Sequence, residues 1–204
     1  MAISLSKGQK INLQKSDGKG LTKIMIGLGW DVAKKKGGFF SSLLSSFSIA
    51  DSDIDCDASV FLCKNGKLVD EKEDIVSYKH LTHSSGAVRH MGDNLTGEGD
   101  GDDEQVVVDL TRVPAEYDRL VFVVNIFMAE MRSQHFGMID NAFIRICDEK
   151  NQEFCRYDMV GKEYENMTAL IFGEVYKHNG AWKFNAIGQA TKDDDISSLA
   201  RRFR

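Results

Sequence analysis

No stretch of this chain reaches the roughly 20 apolar residues that a membrane-spanning helix requires, which excludes an anchor of that kind. The opening MAISLSKGQK lacks the apolar core of a signal peptide, so a soluble, cytoplasmic protein is expected. Proline is nearly absent: Pro114 is the only one, and it follows Val113 to mark a turn between two strands. The four cysteines, Cys56, Cys63, Cys147 and Cys155, show no CxxC spacing and sit within apolar runs, the setting of buried reduced thiols rather than disulfides. A net charge of -5 with no evident basic face argues against nucleic acid as the main partner. GxSxG, P-loop and helix-opening GxGxxG motifs are all missing.

What the chain does have is strand after strand. β-rich runs occupy Ile24 to Leu28, Ala58 to Cys63, Val106 to Leu110, Leu120 to Phe127, Ala142 to Cys147, Leu170 to Tyr176 and Trp182 to Ile187. Their number and spacing predict an all-β fold, a two-sheet β-sandwich with few short helices, in one domain. Asn65-Gly66 and Asn179-Gly180 separate such runs, and both dipeptides tolerate the positive φ of tight hairpin turns. Trp30, Trp182 and Phe184 are expected in the core. The clearest helix is the tail over 191–204, where Ile196, Leu199 and Phe203 share one face, with Asp193 to Asp195 before it and arginines at its end.

Charge of one sign is crowded into DNLTGEGDGDDE, Asp93 to Glu104, where no lysine or arginine interrupts six carboxylates. A glycine-relaxed loop that gathers this many oxygens suggests a hard cation, with calcium the first candidate. An EF-hand register fails, because Glu98 falls where that loop requires glycine. A second run, Asp51, Asp53, Asp55 and Asp57, places an acid at every other residue, so an extended strand would project all four from one face. The plainer alternative is a solvated edge strand and a solvated acidic hairpin loop. His80, His83 and His90 read as satisfied surface histidines rather than zinc ligands.

The block GDNLTGEGDGDDE, with the strand that follows it, resembles the signature of the TerD family of bacterial tellurium-resistance and stress proteins. The agreement continues in order through Leu5-Ser6-Lys7-Gly8, Gly27-Leu28-Gly29-Trp30-Asp31, Asp55-Cys56-Asp57-Ala58-Ser59, Asn141-Ala142-Phe143-Ile144-Arg145, Arg156-Tyr157-Asp158 and the stretch around Gly173 to Phe184. The resemblance spans nearly the whole chain and implies a β-sandwich over 1–190 with metal-binding loops clustered at one end. It implies a calcium-binding role in stress resistance, to tellurite or other chemical stress, rather than a catalytic reaction. The implied ligands are Asp93, Asn94, Asp102, Asp103 and Glu104, with Asp55 and Asp57 from the strand, backbone carbonyls at Gly97 and Gly99, and Asp31 from a neighbouring loop. Their number suits two calcium ions better than one. Asp140 reads either as a ligand or as the start of a strand.

Two regions depart from the family pattern. Between Asp31 and Asp55 lies VAKKKGGFFSSLLSSFSIADSDI, an insert over 34–50 in which Phe39, Phe40, Leu43, Leu44 and Phe47 fall at helical spacing behind Lys34, Lys35 and Lys36. Such a segment over 34–47 suits peripheral contact with an anionic membrane or a partner groove, and equally a loop or helix covering its own sandwich. The other departure is the short arginine-rich ending, Arg201 to Arg204.

Two classes of function follow. The first is a non-enzymatic interaction module whose calcium-rigidified loops meet other stress-resistance proteins, a membrane-embedded partner of the tellurium-resistance system among them, at the inner face of the membrane. The second is a divalent-metal enzyme acting on phosphoryl groups. The second needs acid, base or phosphate-clamping residues beside the loop, and only Arg89 and His90 stand near it in sequence, so the first is favoured.

Overall fold

The computed structural model describes residues 2–32, 54–92, 101–159 and 164–204. In chain order the strands are β1 (Ile3–Ser4), β2 (Lys10–Asn12), β3 (Lys23–Val32), β4 (Cys56–Cys63), β5 (Ile75–Val76), β6 (Val88–His90), β7 (Glu104–Asp109), β8 (Arg119–Ile126), β9 (Ile139–Cys147), β10 (Glu153–Asp158), β11 (Ala169–His178) and β12 (Ala181–Thr191). All seven runs read from the sequence are strands. The insert over 34–50 lies outside the described residues.

Two six-stranded sheets form, in the orders β1-β10-β9-β3-β7-β6 and β2-β12-β11-β8-β4-β5. Pairing is antiparallel except where β1 lies parallel to β10. One core fills the space between them: Ile24, Ile26 and Leu28 of β3 and Val106 and Val108 of β7 belong to the same buried cluster as Val60 and Leu62 of β4 and Leu120, Phe122 and Val124 of β8. The alternation of strand side chains puts the other face of β4 and β8 outward, yet Phe61, Cys63, Val121 and Val123 are buried too.

The C-terminal tail covers that outer face. Helix α2 (Ile196–Ala200) and the 3-10 turn Arg201–Phe203 pack Leu199 and Ala200 against Phe61, Val121, Val123 and Ile171, with Ile196 and Phe203 at the margin. Asp195 caps α2 by accepting from Ser198 N at 2.7 Å. Burying Leu199 fully contributes about 2 kcal/mol, enough to hold a helix too short to be stable alone. With both faces covered, the second sheet explains why β4 and β8 read as continuous apolar runs rather than alternating ones.

Turn chemistry sets the registers. Asn65 and Gly66 (φ 53° and 74°) and Asn179 and Gly180 (φ 52° and 78°) take left-handed backbone at the tips of their turns. At Gly173 the register shifts against both neighbouring strands, and a Cβ there would lie 2.7 Å from the Phe184 ring. Pro114 turns the chain between β7 and β8 by accepting from Tyr117 N at 3.0 Å.

Candidate metal centre

Strand β7 turns Glu104, Val106 and Val108 inward, so the last acid of the signature occupies a core position and is 1% exposed. Glu104 crosses between the sheets: its Oε2 accepts from the backbone N–H of Ala58 in β4 at 2.6 Å. His90, on β6 beside Val106, brings Nε2 to 3.4 Å from the same oxygen. Its Nδ1 accepts from Gly92 N at 3.2 Å, which assigns the ring proton to Nε2, facing the carboxylate. The end of the acidic signature thus meets β4, which carries Asp57 and directly follows Asp55.

The two residues before Glu104 lie along β3. Asp103 donates its N–H to Leu28 O and accepts from Trp30 N through Oδ2, both at 2.8 Å. Burial pushes the Asp103 carboxyl above its ordinary range, and the charges of Asp31 and Asp102 push the same way. This close approach needs glycine at two places in β3. A Cβ at Gly27 would collide with the Asp102 carboxyl, and one at Gly29 would lie 2.7 Å from Gly101 O.

Asp102 turns to β9. Its Oδ1 accepts from Arg145 Nε at 2.7 Å and its Oδ2 from Arg145 Nη2 at 3.0 Å, the two-pronged geometry that fits a guanidinium to a carboxylate. Gln105 Nε2 adds a third bond at 3.2 Å. Both oxygens of this residue, one of the ligands the resemblance implies, therefore hold Arg145.

Asp55 and Asp57 are both buried. Asp55 O accepts from Phe127 N at 2.8 Å, and Asp57 pairs in register with Asn125 of β8. The side chain of Asp57 faces the outer side of its sheet, in a cavity of about 230 Å³ that it shares with Asn125, Asp194 and Asp195. Asn125 Oδ1 is buried there without a hydrogen bond. Asp57 and Glu104 accordingly stand on opposite faces of β4. Between them sits Cys56, whose thiol is pushed well up by burial and then by the charges of Glu104, Asp55, Asp57 and Asp103. Asp31 is exposed, opposite Asp140 in the ladder, and Oδ2 accepts from Asn141 Nδ2 at 2.7 Å.

Asp93, Asn94, Gly97 and Gly99 lie outside the described residues. Among the described residues, no group of three or more histidine, cysteine, aspartate or glutamate side chains stands in metal-holding geometry. The donors present are oxygens of buried or half-buried carboxylates, the chemistry a hard cation takes, and a metal set would draw on both acidic segments.

Sequence reasoning missed Arg145 as a part of this region, and it placed His90 beside the loop without its buried approach to Glu104. Arg145 stood within the Asn141 to Arg145 block, where an arginine at mid-strand between Ile144 and Ile146 was the available signal. The surface reading of the histidines is corrected: His83 and His90 are buried. His83 Nε2 donates to Tyr117 Oη at 3.2 Å, and that hydroxyl donates to Asp74 Oδ1 at 2.5 Å, so His83 is satisfied inside rather than by water.

A family model for the TerD domain matches residues 1–203. The chain belongs to the TerD family. It is 47% identical over 204 residues to the stress response protein SCP2 of Bacillus subtilis (strain 168), covering 100% of both chains. It is 43% identical over 190 residues to the tellurium resistance protein TerD of Serratia marcescens, covering 93% of this chain and 91% of that one. The TerD fold is also seen in a Streptomyces coelicolor A3(2) homologue of the telluride resistance protein, which superposes with a TM-score of 0.63 at 16% identity over 91% of this chain and 99% of that one. The family is thus one of tellurium resistance and stress response proteins. Among the described residues, no helix is long and apolar enough to cross a membrane.

Proposed function

We propose that this TerD protein is a calcium-binding, non-enzymatic interaction module of the cytoplasmic stress response, contributing to resistance to tellurite or other chemical stress. The observation that carries this reading is the bond from Ala58 N to Glu104 Oε2, because it joins the acidic signature to the Asp55–Asp57 strand at one end of the sandwich. Asp55, Asp57, Asp103 and Glu104 supply buried or half-buried carboxylates, and Asp93 and Asn94 with the carbonyls of Gly97 and Gly99 complete the oxygen set. Asp102 anchors the segment through Arg145, and Asp31 stands at its rim. Acids on both faces of β4 favour two ions over one.

A bound ion would neutralise carboxylates that repel one another and thereby fix the loops that carry them. The fixed surface is what other stress-resistance proteins, including a membrane-embedded one, would recognise. The test is thermal unfolding of metal-stripped protein in calcium and in chelator. A higher melting temperature in calcium supports the reading, and identical curves overturn it.

A further inference from the structure

All four thiols of this chain are buried, and burial pushes each of them up, Cys63 and Cys155 to about 12. Thiolate chemistry is therefore closed to an oxidant in solution. The sulfur that reaches solvent belongs to methionine. Met131 is 74% exposed, Met91 51%, Met128 44% and Met138 37%, and all of these but Met91, which follows β6, fall within the single connection from β8 to β9. That connection is shaped rather than frayed: helix α1 (Ala129–Arg132) is bracketed by left-handed backbone at Met128 (φ 54°) and Ser133 (φ 53°), and Gln134 N closes it onto Ala129 O at 2.8 Å. Left-handed backbone is unusual for a residue as bulky as methionine.

Met128 also has an address. It lines the cavity between the second sheet and the tail, together with Phe127, Asp57, Asn125, Asp195 and Ile196. The preceding residue donates to Asp55 O, so the connection is tied to β4 on one side and faces α2 on the other.

We propose that Met128 and Met131 form an oxidant-accepting modification site, and that sulfoxide formation at Met128 loosens the C-terminal tail. The co-reactant is a peroxide. The thioether sulfur attacks one peroxide oxygen, the O–O bond breaks as the S–O bond forms, the sulfur gives up two electrons, and the other oxygen leaves as water after taking the proton. The product replaces a soft apolar sulfur with a strongly dipolar oxygen that only accepts hydrogen bonds. Around it stand Ile196 and the carboxylates of Asp57, Asp194 and Asp195, whose negative charge repels such an oxygen, while the donors of the same lining are Asn125, Ser197, Tyr78 and Lys79, whose Nζ lies over the Tyr78 ring. Loosening falls on the ties of the tail: the Asp195 cap, the Thr168 Oγ1 bond to Asp193 O at 2.9 Å, the Leu68 N bond to Phe203 O at 2.7 Å, the ion pairs of Arg202 with Asp193 and Arg204 with Glu71, the edge contact of Phe203 with Phe61, and the buried Leu199 and Ala200.

The experiment treats the full chain with hydrogen peroxide in chelator, so that the outcome does not depend on cation binding. Sulfoxides are mapped by peptide mass spectrometry, and tail opening is read as the rate of trypsin cleavage after Arg201 and Arg202. Met128 and Met131 are expected to convert about tenfold faster than the buried Met159, with cysteines unmodified and tail cleavage accelerated about tenfold. Methionine sulfoxide reductase should restore the original rate. In Met128→Leu, which keeps the apolar volume, peroxide should leave cleavage unchanged, whereas in Met131→Leu the acceleration should persist. Conversion of Met128 no faster than Met159, unchanged cleavage after full conversion, or equal acceleration in Met128→Leu would overturn the proposal.

Discussion

Arg145 of β9 grips Asp102 with two bonds, Nε to Oδ1 at 2.7 Å and Nη2 to Oδ2 at 3.0 Å, and so fastens the acidic signature to the outer face of the first sheet. The Asp102 side chain is fully buried and that of Arg145 is 27% exposed. Removing the guanidinium leaves a buried carboxylate without its cation, and Arg145→Ala should therefore cost about 3 kcal/mol or more in urea unfolding with chelator present. Arg145→Lys keeps the charge but not the fork, so it should recover only part of that loss. Wild-type stability in Arg145→Ala would mean that the pair carries no structural weight.

Glu104 permits a cleaner separation of scaffold from charge. In Glu104→Gln an amide oxygen can still accept from Ala58 N, so stability in chelator should stay within about 1 kcal/mol of wild type, while the stabilisation by calcium should shrink. Glu104→Ala leaves the Ala58 N–H buried without an acceptor and should lose about 1–3 kcal/mol even in chelator. If both variants respond to calcium as the wild type does, Glu104 has no part in ion binding.

Gly27 tests seating without touching a single carboxylate. Its missing Cβ makes room for the Asp102 side chain, so Gly27→Ala should force Asp102 off Arg145 and destabilise by about 1–3 kcal/mol. Amide exchange around Asp103, whose N–H is held by Leu28 O, should accelerate in that variant. Unchanged exchange there would show that the segment finds another seat.

How far the sequence spoke about this region follows from the physics of each signal. The seven strands were legible because β-rich runs and Asn-Gly turns are local properties, and three apolar residues on one face announced a helix in the tail, though it spans Ile196–Ala200 with a 3-10 turn after it rather than 191–204, and Thr191 belongs to β12. The grouping of acids was legible as composition, since six carboxylates without a counter-charge stand out in any window. What could not be read was facing. Alternation placed Asp55 and Asp57 in one row, but only the sheet order tells which side of β4 meets β7, and that side carries Glu104 rather than Asp57. The Arg145 to Asp102 pair joins residues 43 apart in sequence, and nothing local announces it. His83 and His90 read as surface residues because polar neighbours surround them in sequence, whereas their partners Tyr117, Asp74 and Glu104 come from other parts of the chain.

His83 makes stability depend on pH. Burial lowers its affinity for a proton, while Glu73 and Asp74 act in the opposite sense, His80 adds to the lowering, and Tyr117 and Ser85 occupy its two nitrogens. Because the folded-state pKa lies below the unfolded value, the unfolded chain takes up the proton first as pH falls through about 6.5. Stability contributed by neutral His83 is complete above that point and is lost as pH falls from it toward the folded pKa. Melting temperatures in chelator between pH 8 and pH 5 should therefore fall with a slope in this window that is smaller in His83→Gln; equal slopes would remove His83 from the account.

The central claim, that the acidic signature and the Asp55–Asp57 strand together hold calcium, is met most directly by calorimetric titration of the metal-stripped chain with calcium. The account predicts heat that saturates at about two ions per chain, and about 2.7 kcal/mol of added stability when free calcium stands at 100 times its dissociation constant. A flat titration with no heat, together with an unmoved melting curve, would contradict it.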